Sequence, residues 1–191
     1  EIGGETLDQS GYDLMAAFIG SEGMLGVVTE ITVRLLPTPP AAKVLMAAFE
    51  SVEEAASAVA GIIAAGIIPA GLEMMDTPAI IAAEDFVQAG YPRDAAAILL
   101  CEVDGTQAEV DAEIGAVSSL LFDCGARSVD IARDESERER FWSGRKNAFP
   151  AVGRISPDYY CIDGTIPRRA LGEVLSGISK LAAEYGLRVA N

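Results

Sequence analysis

The sequence predicts an α+β fold: a ferredoxin-like antiparallel sheet with helices on one face, preceded by the last strand segment of another domain. Two observations predict it. After residue 39, short apolar segments typical of strands alternate with helical segments that carry capping residues. A glycine-rich segment lies before them, and the proline cluster LLPTPPAA at 35–42 separates the two regions. We therefore expect one domain to end at residue 38 and a second, truncated domain to occupy 39–191.

The segment before the prolines predicts a turn followed by a strand. GSEGMLG, at 20–26, has three glycines in seven residues, and glycine permits the positive φ angles of tight turns. From Val27 to Arg34, β-branched residues alternate between two faces with a period of two. The glycine spacing matches neither the dinucleotide-binding pattern nor the P-loop pattern. A plain turn and a phosphate-binding turn therefore both remain open at this point.

After the prolines the predicted order is strand–helix–strand, twice, which is the ferredoxin-like order. The predicted strands cover 43–49, 70–76, 95–103 and 126–132, with an extended segment at 158–166 and the start of another strand at 187–191. The predicted helices cover 51–66, 77–89, 106–122, 134–142 and 167–185. Ser51 with Glu54, and Thr106 with Glu109, have the spacing of capping boxes, and Gly66 is typical of a helix end.

Composition excludes several classes of function. The 191 residues carry 14 Lys and Arg against 29 Asp and Glu, and the resulting net charge of −15 argues against nucleic-acid binding. The chain has no histidine and three widely spaced cysteines, so we expect no Cys/His zinc site and three reduced thiols. No apolar run reaches the roughly 20 residues of a transmembrane helix. Because the chain begins without Met, we expect an internal piece of a longer protein.

Positive charge is concentrated in one part of this acidic chain. Residues 138–169 contain seven basic and three acidic residues, a local excess that suits a small anion. Two glutamates lie close to the first two arginines of this segment: Glu135 precedes Arg138 by three residues, and Glu139 stands between Arg138 and Arg140. We therefore interpret Arg138 and Arg140 as members of surface ion pairs.

Arg145 stands apart because it follows Trp142 by three residues, near the end of the predicted helix. Two interpretations remain open for its guanidinium. It either caps the last carbonyls of the helix or binds a carboxylate with the two-pronged geometry that arginine offers.

Two stretches of the sequence resemble one known family. GYDLMAAFIGSEGMLGVVTEITVRLLP, at 11–37, resembles the end of the FAD-binding domain of vanillyl-alcohol-oxidase-type (PCMH-type) flavoproteins. LEMMD and FWSGRKNAFPAVGRISPDYYCIDGTIPR resemble the C-terminal FAD-linked oxidase domain of the same proteins, in particular of glycolate oxidase FAD subunits and D-lactate dehydrogenases. The resemblance covers essentially the whole chain. It implies that 1–38 ends an FAD-binding domain and that 39–191 is the N-terminal part of the substrate (cap) domain.

The resemblance also implies site residues. The expected FAD contacts are Gly11, Tyr12, Gly20, Ser21, Glu22, Gly23, Gly26 and Val27. For Glu22 an alternative remains open, in which its carboxylate only accepts N–H groups of its own turn. Arg145 and Tyr160 are the expected substrate-binding residues. Cys161 stands where relatives that act on a dicarboxylic acid have a lysine, which favours a smaller substrate.

The implied activity belongs to the full-length protein. It is the FAD-dependent oxidation of a small 2-hydroxy acid, glycolate or D-lactate, to the 2-oxo acid. The catalytic base and the ligands of a divalent metal are expected downstream of this chain, so these 191 residues alone are expected to be inactive, with no catalytic or metal-ligating residue among them.

The resemblance further implies partner flavin and iron–sulfur subunits or a homo-oligomer, in the cytoplasm or at a membrane through those partners. Two alternatives of another class remain: a non-catalytic small-anion-binding module, or a subunit-assembly module of ferredoxin-like fold.

Overall fold

The computed structural model describes residues 1–4 and 11–191, which separate into two compact units, Glu1–Thr38 and Pro39–Asn191. The described part of the first unit contains one short helix, α1, at Leu14–Phe18. The side chain of Asp13 caps this helix by accepting a hydrogen bond from the Ala16 N–H at 3.0 Å.

The strand predicted from Val27 to Arg34 is not formed. These residues are neither helix nor strand, and Val27, Ile31 and Val33 are 84%, 72% and 65% exposed. A strand requires a hydrogen-bonded neighbour, and none pairs with this segment among the residues that the structure describes. The alternating pattern indicates a preference for extended backbone. An extended segment becomes part of a sheet only when a partner strand pairs with it.

The second unit is built on a four-stranded antiparallel sheet. Its strands are β1 (Ala41–Phe49), β2 (Gly71–Asp76), β3 (Ala97–Gly105) and β4 (Ser128–Ile131). They lie in the order β2-β3-β1-β4, with every pair antiparallel. This order, with helices crossing between β1 and β2 and between β3 and β4, confirms the predicted α+β class and its ferredoxin-like sheet.

Helices cover both faces of the sheet. They are α2 (Val52–Ala64), α3 (Thr77–Val87), α4 (Gln107–Asp123), α5 (Glu135–Lys146), α6 (Ala148–Ile155) and α7 (Leu171–Glu184). The crossover helices α2 and α4 pack on one face, as predicted, against a core that includes Leu45 and Leu99. In addition, α3 and α5 pack on the opposite face, around Val44, Leu100 and Phe141. Because β1 and β3 are apolar on both faces, each face needs a cover.

Local signals predicted most helix ends. Thr106 and Glu109 form the full capping box, whereas Ser51 accepts only the Glu54 N–H at 3.1 Å and receives no reciprocal bond. Gly66 follows α2 with φ +81°, as a residue after a helix end should.

Three features near the C-terminal end of the chain differ from the prediction. The last helix begins at Leu171, because residues 168–170 form a 3-10 turn after Pro167. Residues 187–191 are not a strand. Helix α6 was not predicted; its Pro150 lies in the first turn, where a missing N–H costs nothing.

The three cysteines are free thiols in different surroundings. Cys101 is buried in β3, and burial raises the pKa of its thiol to about 12. Burial also raises the pKa of the half-buried Cys124 thiol, whereas Cys161 is exposed. No helix among the described residues has both the length and the apolar character needed to cross a membrane.

Candidate functional site

A glycine turn in the first unit has the backbone that its sequence predicts. The Met24 N–H donates to the Ser21 carbonyl at 2.8 Å and closes a four-residue turn. Glu22 and Gly23, at its two central positions, have φ of +49° and +80°. Positive φ at both positions is the pattern of a type I′ turn, and glycine is favoured there because it has no side chain. Gly20, just before the turn, has φ +80°.

The backbone of this turn is open to an approaching ligand. A Cβ atom added at Gly20 or Gly23 would meet nothing within 4 Å, whereas one at Gly26 would lie 3.1 Å from the Phe18 ring. The turn lines a shallow depression of about 420 Å³, formed by residues 18–23 and 26–28. The predicted cofactor residues Gly20 to Gly23, Gly26 and Val27 therefore share one surface.

The other two predicted cofactor residues, Gly11 and Tyr12, do not line this depression. Tyr12 is 95% exposed. The alternative for Glu22 also gains no support, because its carboxylate accepts no hydrogen bond among the described residues. The hydrogen bond that closes the turn runs between backbone atoms of Ser21 and Met24.

In the second unit, helix α5 carries the basic segment singled out in the sequence. Asp134 caps the helix by accepting the Glu137 N–H at 2.9 Å. Acidic residues occupy its first turn, and Arg145 and Lys146 occupy its last turn, so both ends complement the helix dipole. Phe141 and Gly144 are buried, and Phe141 packs in the same cluster as Val44 and Leu100 of the sheet.

Tyr91 forms a hydrogen bond and a close packing contact with α5. Its hydroxyl donates to the Phe141 carbonyl, and burial raises the pKa of this phenol to about 12, so it stays a donor at physiological pH. A Cβ atom added at Gly144 would lie 2.5 Å from the Tyr91 hydroxyl oxygen and 2.7 Å from Cζ. The close contact between Tyr91 and α5 therefore requires glycine at position 144.

We expect Gly144→Ala to lower the free energy of unfolding by about 1–3 kcal/mol, because the buried Tyr91 ring must move. This expected loss of stability is opposite in sign to the gain of roughly 1 kcal/mol that replacing glycine by alanine usually brings in a helix interior. Gly115→Ala in α4 is the matched control, since an added Cβ there meets nothing within 4 Å, and it should stabilise the protein. Thermal melting of both variants checks the prediction; equal shifts would contradict it.

Arg138 forms its predicted ion pair with Glu135 and, in addition, binds a carboxylate on the sheet, so it is more than a surface residue. Its Nε and Nη2 donate to both carboxylate oxygens of Glu102 on β3, at 2.8 and 2.7 Å. Its Nη1 donates to the predicted partner Glu135 at 2.7 Å. The Trp142 indole N–H donates to the same Glu102 carboxylate at 2.6 Å. These bonds to Glu102 raise the pKa of the Arg138 guanidinium and tie α5 to the sheet.

The predicted pairing of Arg140 with Glu139 is corrected. The Nη2 of Arg140 donates to Glu137 at 2.9 Å, and its Nη1 donates to the Ala89 carbonyl at 2.7 Å. Glu139 makes no ion pair among the described residues. The first two arginines of α5 therefore have their terminal nitrogens engaged by this chain.

Arg145 differs from both. Its Nε donates to Glu73 Oε2 on β2 at 2.9 Å, and the two side chains are 43% and 39% exposed. Its terminal nitrogens, Nη1 and Nη2, have no hydrogen-bond partner in the described part of the chain. The helix-capping alternative is not seen, because Asn147 provides the N–H groups at this helix end through its backbone and its side chain. The guanidinium therefore presents two free donors near solvent, an arrangement that suits a carboxylate.

Tyr160 is 88% exposed, and no hydrogen bond joins it to Arg145 among the described residues. Tyr159 instead stacks on Phe149, with 6.4 Å between ring centroids. The structure thus gives one of the two tyrosines a packing role and leaves the other exposed. Asp, Glu and Cys side chains do not gather in groups of three or more that could hold a metal, within the described ranges.

Glu73 and Glu102 bind the α5 arginines but are not among the site residues predicted from the sequence. Each is a carboxylate within a predicted strand that is otherwise largely apolar, LEMMD and AILLCEV. A charge in such a position usually has a partner, which is the signal that could have identified both residues.

Known proteins of similar sequence and fold support the predicted family. The sequence profile described as FAD linked oxidases, C-terminal domain, matches residues 38–191. Glycolate oxidase subunit GlcD of Escherichia coli (strain K12) is 64% identical over 190 residues, which are 100% of this chain and 38% of that protein. The protein of the same name from Bacillus subtilis (strain 168) is 38% identical over 95% of this chain and 39% of its own length.

More distant proteins share the fold. A D-lactate dehydrogenase of Anaerostipes hadrus is 28% identical over 94% of this chain and 39% of its own length. Among solved structures, an alkyldihydroxyacetonephosphate synthase superposes with a TM-score of 0.64 at 17% identity, covering 92% of this chain and 38% of that one. This chain therefore spans less than half the length of the relatives it matches.

Proposed function

The chain belongs to the family of FAD linked oxidases, C-terminal domain, and from this premise we propose that the whole protein is an FAD-dependent oxidoreductase. Its proposed substrate is a small 2-hydroxy acid, glycolate or D-lactate, which it converts to the 2-oxo acid. The names of the relatives support this class of substrate, since they are glycolate oxidase subunits and D-lactate dehydrogenases. The exposed Cys161, in place of a lysine, favours a substrate with one carboxylate.

The observation that carries the proposal is the free edge of Arg145. Of the three arginines on α5, it alone has both terminal nitrogens without a partner among the described residues. A carboxylate can accept two parallel hydrogen bonds from such an edge, which fixes its orientation as well as its position. Arg145 therefore holds the substrate carboxylate in this proposal, and the exposed Tyr160 hydroxyl is available to a second polar group of the substrate.

The glycine turn of the first unit fits the proposed cofactor. A diphosphate needs N–H donors and close approach of the backbone, and Gly20 and Gly23 offer both because no side chain covers them. Gly20 to Gly23 would hold the FAD, with Gly26 and Val27 completing that surface and Gly11 and Tyr12 lining the approach. When bound, FAD supplies the acceptor for the hydride that leaves C2 of the substrate.

The residues of this chain bind and orient, while proton removal belongs to a base outside it. Orientation by Arg145 would contribute to the rate because it fixes C2 of the substrate relative to the acceptor. We also propose that residues 1–191 alone bind FAD weakly and turn over no substrate. The word subunit in the relatives' names supports assembly with other chains. We propose that these are partner flavin and iron–sulfur subunits or further copies, in the cytoplasm or at a membrane.

Anaerobic mixing of the full-length protein with substrates tests the proposal. Glycolate or D-lactate should bleach the visible absorption of the bound flavin, whereas ethylene glycol or propane-1,2-diol, which lack the carboxylate, should not. The isolated 191 residues should be colourless. Bound flavin that no 2-hydroxy acid reduces would contradict the proposed reaction, and stoichiometric flavin on the isolated 191 residues would contradict the proposed weak binding.

A further inference from the structure

We propose that Glu73 is a positioning residue that orients Arg145 by holding its Nε, so that the Nη1 and Nη2 edge stays directed toward the substrate carboxylate. This inference rests on the proposed function, because it deepens the role given to Arg145. It adds a specificity-determining carboxylate on the sheet to a site otherwise formed by helix α5.

The sheet register places Glu73 on the face of the sheet that α5 covers. Gly71 lies opposite Glu102, and Glu73 lies opposite Leu100, two residues away on each strand. Because side chains alternate along a strand, Glu73 and Glu102 project from the same face of the sheet. That face is the one covered by α5, since Leu100 packs in the same cluster as Phe141.

The absence of a side chain at Gly71 lets the helix approach. A Cβ atom added there would lie 3.0 Å from the Trp142 ring, so the indole occupies the space that a side chain would fill. Trp142 and Arg145 are three residues apart and therefore neighbours on one helix face. This close approach brings Arg145, 72 residues away in sequence, within 2.9 Å of Glu73.

The two sheet carboxylates engage their arginines differently. Glu102 accepts from Nε and Nη2 of Arg138, and Glu135 accepts from Nη1, so that guanidinium has no free edge. Within the described ranges, Glu73 accepts a hydrogen bond only from Nε of Arg145. The contact restricts rotation of the guanidinium plane and leaves its outer edge available. A donor pair fixed in advance loses less conformational freedom when it binds a ligand.

Glu73 could act in the opposite sense, as an internal carboxylate that competes with the substrate for Arg145. The two roles predict opposite signs. Removing a positioning contact weakens substrate binding, whereas removing a competitor strengthens it. The positioning role is favoured because Glu73 accepts from Nε of Arg145. A competing carboxylate would instead bind Nη1 and Nη2, the two donors that the substrate requires.

The test measures KM and kcat of the full-length, FAD-loaded protein with its 2-hydroxy acid. Glu73→Ala should raise KM about tenfold or more, the size expected for loss of a hydrogen bond to a charged group, with kcat within about threefold. Glu73→Gln retains an amide oxygen that can accept from Nε, so its KM should return to within about threefold of wild type. Glu139→Gln is the matched control, because it removes a carboxylate from the helix that carries Arg145 and Glu139 has no ion-pair partner among the described residues.

Inhibition by propionate provides a second readout without turnover. Its inhibition constant should rise in Glu73→Ala by the same factor as KM, because propionate keeps the carboxylate of the substrate and lacks the 2-hydroxyl group that is oxidised. If the alanine variant does not fold, Glu73→Asp, one methylene shorter, makes the same comparison. An unchanged or lowered KM in a folded Glu73 variant that loses the contact, or an equal effect of Glu139→Gln, would overturn the inference. Failure of Arg145→Ala to change KM would instead overturn the proposed function.

Discussion

Arg145→Ala in the full-length protein is expected to lower kcat/KM for the 2-hydroxy acid by about 100- to 1,000-fold, the range for losing a paired charge and its hydrogen bonds. The reason is that Nη1 and Nη2 of Arg145 have no partner among the described residues, and alanine removes both donors together with the charge. Arg145→Lys should recover part of this loss, because ammonium restores the charge but not the planar pair of donors. Steady-state kinetics of both variants measures the effect.

Lys146→Ala is the matched control for the Arg145 variants. Lys146 is an exposed cation next to Arg145 on the same helix turn. It therefore contributes positive charge near the site but lacks the planar pair of N–H donors of a guanidinium. Its replacement should change kcat/KM by less than about threefold, the scale of an exposed charge. Equal losses in both alanine variants would mean that the general field, rather than the Arg145 guanidinium, attracts the substrate. The melting temperature of Arg145→Ala should stay close to wild type, because its ion pair with Glu73 is about 40% exposed.

Glu102→Ala is expected to have the largest effect on stability, with a loss of about 2–4 kcal/mol in the free energy of unfolding. The Glu102 side chain is only 12% exposed and accepts hydrogen bonds from Arg138 and from the Trp142 indole. Its removal leaves a half-buried guanidinium and an indole N–H without their acceptor, and unpaired partners cost more than the pair contributes. Denaturant unfolding of the full-length protein checks this value.

Asp111→Ala is the control for this prediction. Asp111 pairs with Lys43 at 2.6 Å, but the two side chains are 52% and 38% exposed, so its loss should cost at most about 1 kcal/mol. A double-mutant cycle of Glu102 with Arg138 isolates the pair itself. Similar losses for Glu102→Ala and Asp111→Ala would show that burial does not strengthen the Glu102 contacts.

The parts of the fold that sequence could predict are those set by neighbouring residues. Asp134 and Thr106 cap helices through residues three positions further along, so the helix starts were predictable. The two strand–helix–strand units were predictable for the same reason. Arg145, singled out by its place after Trp142, is the α5 arginine that keeps a free edge among the described residues.

The features that sequence missed depend on distant partners. The alternating segment after Val27 needs a neighbouring strand, and no local pattern shows whether one is present. Arg138 was assigned to nearby glutamates because Glu102, 36 residues away, becomes its partner only through the sheet register. Glu73 was missed for the same reason. Carboxylates within apolar strands are therefore the positions to examine when a site is sought from sequence alone.

The central claim, that the Arg145 edge recognises a carboxylate, is tested most directly by comparing an acid with its amide. The measurement is anaerobic flavin reduction by lactate and lactamide, or by glycolate and glycolamide, in wild type and in Arg145→Ala. We expect wild type to favour the acid by about 100-fold or more, and the variant to lose this preference to within a few fold, since specificity is a difference between two binding energies. An acid preference that survives in Arg145→Ala would contradict the claim.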